Sequence, residues 1–346
     1  MTTPLQGQIG RGKLSGYPER LEAWSRGEVS RPLAVEVAIT HGCNHNCRHC
    51  GSQMFTSFDN RHFMEPAVFL RFLQEFRDLG GVECYFAGSG EPLLHPHFAR
   101  FMQHGHELGL DMAFSSNGAS LSPARAEAIL PWAAWIRFSV NGGDAETYTR
   151  IHQCHADEYL RLRENFRNAN ALRKARGLGV RLALQCIVYD ENWASLPSLM
   201  ELAREMEADR VVLRNRINRE GGLNPVPEEA LALMKALEAA EPRLEVRWNS
   251  FSGADEACWS RCHGIHFRTN LDYQGNLFSC ARNYYRESRF GNIHEASLHA
   301  IWHGDYRREL FAEVARGEDI PVCGKWCQVS FDNRYMEQYL RQRGAP

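Results

Sequence analysis

The chain has no run of about eighteen apolar residues, so nothing in it reads as a membrane-spanning helix. It has no block of five or more basic residues, and its formal net charge is −2, which argues against nucleic acid or an anionic membrane as a partner. The opening stretch MTTPLQGQIGRGKLSGYPERLEAW lacks the apolar core of a signal peptide, and the expected compartment is the cytoplasm. Internal repeats and low-complexity tracts are absent as well. Hydrophobic residues at 44% and charged residues at 24% are the balance of a folded globular chain. Its 346 residues suffice for one α/β barrel plus an appendage.

Cysteine is not scarce. In a reducing compartment the eleven cysteines are not expected to form a disulfide framework, and they are unevenly placed. Cys43, Cys47 and Cys50 fall within eight residues, CNHNCRHC. Cys258, Cys262, Cys280, Cys323 and Cys327 fall in the last quarter, and Cys84, Cys154 and Cys186 stand singly. Two groups and three singles suggest two metal centres.

After a polar arm over 1–31, PLAVEVAIT reads as a buried strand and runs straight into the first cysteine group, which is then a loop. PAVFLRFLQEFRDLG has helical spacing of Phe69, Phe72 and Phe76 and ends at a glycine. VECYFAG, DMAFSS, WIRFSV, VRLALQCIVY and DRVVLRN follow as strands, each separated from the next by a helical stretch. Such alternation predicts parallel strands with right-handed crossovers, in a doubly wound sheet or a barrel. In both, function gathers on the loops that follow the strands. CNHNCRHC, Gly88-Ser89-Gly90-Glu91-Pro92 and Ser115-Ser116-Asn117-Gly118 all occupy that face. From about 222 the pattern changes to a linker and helix (222–257), then a turn-rich, cysteine-bearing segment (258–346) with one hairpin, HFRTNLDYQGNLFSC.

Thiolates ligate cubic iron–sulfur clusters one per iron, usually four to a cluster. Three thiolates leave one iron open to a small molecule. Zinc, with His45 or His49 as a fourth ligand, is the competing reading of this stretch. GSGEP by itself is weak, since the third glycine of a dinucleotide fingerprint is missing. Asn117-Gly118 by itself is a turn.

CxxxCxxC after the first strand of a β/α repeat resembles the radical S-adenosylmethionine (SAM) superfamily. The resemblance implies a partial (β/α)6 TIM-like barrel over 32–221. Its [4Fe–4S] cluster would be held by Cys43, Cys47 and Cys50, with SAM chelated at the open iron. Reductive cleavage of SAM would give a 5′-deoxyadenosyl radical that takes a hydrogen atom from substrate, with an electron donor such as flavodoxin or ferredoxin. The family's SAM contacts map onto Gly88, Ser89, Gly90 and Glu91, onto Ser116 and Asn117, and onto Ser139 and Asn141 near the ribose. His49 stands where an aromatic residue commonly packs on the adenine, and Arg214 is a candidate partner for the SAM carboxylate.

Four thiolates drawn from the C-terminal hairpin and a later loop suit a second [4Fe–4S] cluster or a structural zinc. Cys262-x12-Gly275-x4-Cys280 looks like the start of the family's SPASM or shorter twitch extension, although a CxxCxxC run is absent. The resemblance then implies one auxiliary cluster on Cys262, Cys280, Cys323 and Cys327. Cys258 is left over as a substituting ligand, a buried thiol or a hydrogen donor, and Cys154 is a rival donor. Cys84 and Cys186 lie in apolar strand patterns and read as core. His95 and His97 read as surface or capping residues.

Three functions compete. The favoured one is hydrogen abstraction from a carbinol carbon of a small polar molecule (a sugar or aminocyclitol), giving dehydrogenation or epimerisation in natural-product biosynthesis. The second is peptide or protein modification, as by a maturase or a maker of thioether or carbon–carbon links. The third is a non-catalytic iron–sulfur or zinc protein. The short arm before the first strand and the single expected auxiliary cluster favour the first.

Overall fold

The computed structural model describes residues 13–50, 62–215, 224–251, 262–280, 289–316 and 330–343. Seven strands run parallel in chain order: β1 (Ala34–Val37), β2 (Glu83–Phe86), β3 (Asp111–Ser116), β4 (Ala133–Ser139), β5 (Arg181–Ile187), β6 (Arg210–Arg214) and β7 (Leu244–Val246). On the other edge of β1, β8 (Arg268–Leu271) adds a further parallel strand. β9 (Asn276–Phe278) and β10 (Arg289–Asn292) continue from it antiparallel.

Helices Pro66–Asp78, Phe98–Glu107, Pro123–Ile129, Ala156–Ala175 and Leu196–Glu205 connect the strands. Their apolar stripes meet one face of the sheet. Phe69 and Phe72 from the first helix, Phe101 from the second and Leu162 from the fourth join Phe86, Phe114, Phe138 and Leu184 in the main core. The Phe69 ring lies 4.8 Å from Phe101 and 5.7 Å from Phe86. Burial of each such ring contributes about 1.5–3 kcal/mol of transfer free energy.

The opposite face is different. There Ala113, Trp135 and Ala183 form a small separate cluster with Tyr85, set among Glu36, Ser115, Arg137 and Gln185. A doubly wound sheet is covered by helices on both faces, whereas a barrel is covered only outside. This sheet is of the partial-barrel type, and the polar face lines its lumen.

Three features differ from the sequence expectation. β7 falls inside the segment expected to be linker and helix; at three residues it is too short to show a period. β8, the first strand of the cysteine-bearing hairpin, joins the barrel sheet directly. The N-terminal arm contains a helix, Pro18–Ser25, and Leu14, Tyr17 and Leu21 pack on Phe267 and Met336 of the C-terminal region. No helix among the described residues is long and apolar enough to cross a membrane.

Candidate active site

The C-terminal ends of β1 to β4 bring the predicted loops together. Cys50 donates its N–H to the Cys47 carbonyl at 3.0 Å, and the His45 N–H reaches Cys43 Sγ at 3.4 Å. The glycine loop after β2 packs directly beneath: Glu91 donates its N–H to the Gly42 carbonyl at 2.8 Å. Gly90 sits at φ +73, and a Cβ there would come within 2.4 Å of the Thr40 carbonyl oxygen and 2.8 Å of that of Gly42. Only glycine permits both the left-handed backbone and this approach.

Burial pushes the Cys43 thiol up to about 12, with Glu91 and then Cys50 adding to the shift. Cys47 is raised well above its usual range, first by burial and then by Cys43, Cys50 and Cys154. These thiols stand close enough to oppose one another's ionisation. They become thiolates together only if a positively charged metal centre compensates, which is what a cysteine-ligated iron–sulfur cluster supplies. The donor set fits that group.

The structure adds a residue that sequence reading passed over. His152 lies at the end of helix Ala145–His152, fully buried, with Nδ1 at 3.3 Å from Cys47 Sγ. Its Nε2 accepts the Asn141 backbone N–H at 3.1 Å. Nε2 therefore offers its lone pair, Nδ1 carries the hydrogen, and that hydrogen points at the sulfur. The ring stacks on Tyr148 at 4.1 Å. His45, Cys47 and His152 lie within 4.8 Å of one another, a set resembling a metal site. With its hydrogen on Nδ1 and its other nitrogen engaged by Asn141, however, His152 has no lone pair left for a metal. The one local sign of His152 was its place two residues before Cys154.

The other predicted residues fall into two groups. Glu91 is buried, and its carboxylate accepts from Leu93 N–H at 3.1 Å and Asn117 N–H at 2.8 Å; burial pushes it up to about 7. It ties the second loop to the third. Ser116 Oγ accepts the Gly118 N–H, and Asn117 donates to Asn44 Oδ1 at 2.7 Å, reaching the cysteine loop. Asn141 is also turned inward, its Oδ1 taking the Ile187 N–H at 2.8 Å. That bond joins the loop after β4 to the end of β5. Ser139, half-buried at the end of β4, and Arg214, ending β6, both face the lumen mouth. Gly88 takes φ +93, and Ser89 Oγ reaches the Thr40 carbonyl at 3.5 Å. His49 stacks on Tyr189 at 4.1 Å with Glu191 3.5 Å from its Nε2, and burial lowers its pKa, favouring the neutral ring.

Cys154 is half-buried against the main core, its thiol pushed up to about 11 by burial and then by Glu158. Cys84 and Cys186 are buried, as expected for core residues. His95 is buried too, its Nδ1 taking the His97 N–H at 3.1 Å while Nε2 meets the Met64 carbonyl at 2.9 Å, so it shapes the loop. Cys262 accepts from Asn333 Nδ2 at 3.7 Å, and Cys280 follows β9; both are half-buried. Cys258, Cys323 and Cys327 lie outside the described residues.

Residues 37–203 match the family model of the radical SAM superfamily, and residues 262–328 match that of the SPASM iron–sulfur cluster-binding domain. A PqqA peptide cyclase of Xanthomonas euvesicatoria pv. vesicatoria is 27% identical over 290 residues, covering 78% of this chain and 74% of its own. Among solved structures, Streptococcus suis SuiB bound to precursor peptide SuiA superposes with a TM-score of 0.65 at 13% identity, covering 86% of this chain and 70% of that one. anSMEcpe with bound AdoMet and Cp18Cys peptide gives a TM-score of 0.59 at 15% identity, covering 90% and 97%. At those identities the two structures speak for the fold alone.

Proposed function

The chain is a radical SAM enzyme with a SPASM extension, and from that premise we propose that it modifies a peptide, using the radical to form a new bond within it. The observation that carries this reading is the relationship to a peptide cyclase over 78% of the chain. It favours the peptide alternative over the small polar substrate that the short arm and the single expected auxiliary cluster suggested. Those two features describe what the chain has few of, and neither describes what its lumen accepts.

The cofactors that go with these domains are a SAM-bound [4Fe–4S] cluster and auxiliary iron–sulfur ligation in the C-terminal domain. Cys43, Cys47 and Cys50 would hold the first, while Cys262 and Cys280 would contribute to the second, with Cys323 and Cys327 completing its set. When bound, the first centre and SAM supply one-electron reduction and hydrogen-atom abstraction. The chain's own residues position and protect. His152 donates to Cys47 and fixes the orientation of that sulfur. Glu91 and Gly90 lock the glycine loop beneath the cysteine loop, so the SAM-facing backbone is set before anything binds. Tyr189 supports the His49 ring as a flat wall.

The test is anaerobic. Enzyme reconstituted with iron and sulfide is incubated with SAM, dithionite and short peptides encoded beside its gene. A peptide that loses two hydrogens, with 5′-deoxyadenosine released alongside, supports the reading. Turnover of a sugar or aminocyclitol with every peptide untouched would overturn it.

A further inference from the structure

The lumen holds a guanidinium that the site above does not use. Arg137, in the middle of β4, is 6% exposed. Its guanidinium carbon lies 4.9 Å from the centre of the Trp135 ring and 5.8 Å from that of Tyr85. Nη1 donates to the Tyr85 hydroxyl at 3.4 Å, while Nε has no acceptor. Among the described residues no carboxylate lies within 4.0 Å of it. By contrast, Arg268 pairs with Asp332 at 2.8 Å, and Arg210 and Arg247 share Glu245 at 2.5 and 3.2 Å. A buried cation without an anion is costly, and it persists where an anion is to be bound.

The groups around it are polar. The Tyr85 hydroxyl, which accepts from Arg137, also lies 2.5 Å from Ser115 Oγ, and either hydroxyl can donate in that contact. Ser115 is paired with Arg137 in register and half-buried, which places its hydroxyl beside the guanidinium. The Trp135 indole N–H, 2% exposed, has no acceptor either. Gln185, on the next strand, holds a buried amide oxygen without a donor. A peptide offers both missing partners, an acidic oxygen and an amide N–H. One guanidinium neutralises one charge, its fork matches a planar carboxylate, and the flanking rings admit a flat group.

We propose that Arg137, with Ser115 and Trp135, forms a carboxylate-binding subsite in the lumen that anchors the substrate by an acidic side chain or a terminal carboxylate. The identification of that substrate as a peptide rests on the reading above.

The experiment titrates reconstituted holoenzyme calorimetrically with saturating SAM present. The probes are N-acetylglutamate α-amide for a side-chain carboxylate, N-acetylglycine for a terminal one, N-acetylglutamine amide as the uncharged match, and inorganic phosphate. At least one carboxylate should bind, the uncharged match should not, and Arg137→Gln should weaken binding by at least about tenfold. Arg137→Met, which removes an unpaired buried charge, should unfold at a higher temperature than the wild type without anion, whereas a purely structural arginine would give a lower one. Equal binding of charged and uncharged probes, preference for phosphate, or unchanged binding in Arg137→Gln overturns the proposal. Loss of SAM binding in Arg137→Gln overturns it too, since the cation would then serve SAM. Carboxylate binding that persists while no peptide is modified sinks the peptide reading and leaves the subsite standing.

Discussion

His152 donates its Nδ1 hydrogen to Cys47 across 3.3 Å, and the direction of that bond is set by Asn141, whose backbone N–H occupies the other ring nitrogen at 3.1 Å. A hydrogen bond to a ligating sulfur stabilises the more negative, reduced state of a cluster. His152→Phe keeps the stack on Tyr148 and removes the donor. Its SAM cluster should titrate at a lower potential, by on the order of 50 mV for about 1 kcal/mol of lost stabilisation. Redox titration followed by electron paramagnetic resonance measures it; an unchanged potential would place His152 in a purely packing role.

Gly90 is the contact on which the two loops close. Gly90→Ala forces a Cβ against the Thr40 and Gly42 carbonyls, at 2.4 and 2.8 Å. Iron bound per chain after reconstitution should fall, along with the unfolding temperature. Full iron loading at wild-type stability would show that the loop yields.

The two cysteine sets should be separable. Reconstituted wild type is expected to hold about eight irons, about four per cluster. Replacing Cys43, Cys47 and Cys50 together by alanine should remove about half, as read by iron and sulfide assay. Retention of all the iron in that variant rejects the first set as ligands.

A test at Cys154 distinguishes two fates of the substrate radical. Its thiol is held protonated, pushed up to about 11, and so carries a transferable hydrogen at neutral pH. Bond formation within a peptide returns no hydrogen. Product made in deuterated water should then carry no solvent deuterium on carbon, and Cys154→Ala should leave product yield within about threefold of wild type. Deuterium incorporation that vanishes in Cys154→Ala would make Cys154 a hydrogen donor instead.

Acid sensitivity should come in part from the C-terminal region. His266 is lowered to about 3, first by burial and then by Arg307 and His263. Above about pH 6.5 the folded and unfolded rings are both neutral and contribute nothing. Between about 6.5 and 3 the unfolded chain takes a proton that the folded one refuses, so stability falls with pH, by up to about 1.4 kcal/mol per unit. His266→Phe should flatten the dependence of the denaturation midpoint on pH in that window; an unaltered slope counts against this account.

Much of the site was legible in the chain. Cysteine spacing is local, and the strand-then-helix repeat places the loops at positions 43–50, 88–92 and 115–118 on one face whatever the details of packing. The burial of Cys84 and Cys186 follows from strand alternation. The role of Glu91 did not show, because an acid after a glycine turn looks the same whether it meets a ligand or caps the neighbouring loop. The bond from the Ile187 N–H to the Asn141 side-chain oxygen was unreadable for the same reason.

The sequence by itself determined the alternation, and with it the parallel sheet, the active face and the short count of three thiolates. Tertiary structure decided the partners. Cys47 and His152 are 105 residues apart, and no spacing rule links them. Whether Arg137 meets a carboxylate depends on which side chains the curvature of the sheet brings opposite it, and the period of two says only that it faces the lumen. Short-range periodicity is written in the order of residues, whereas charge pairing across a barrel is set by the closure of strands distant in the chain.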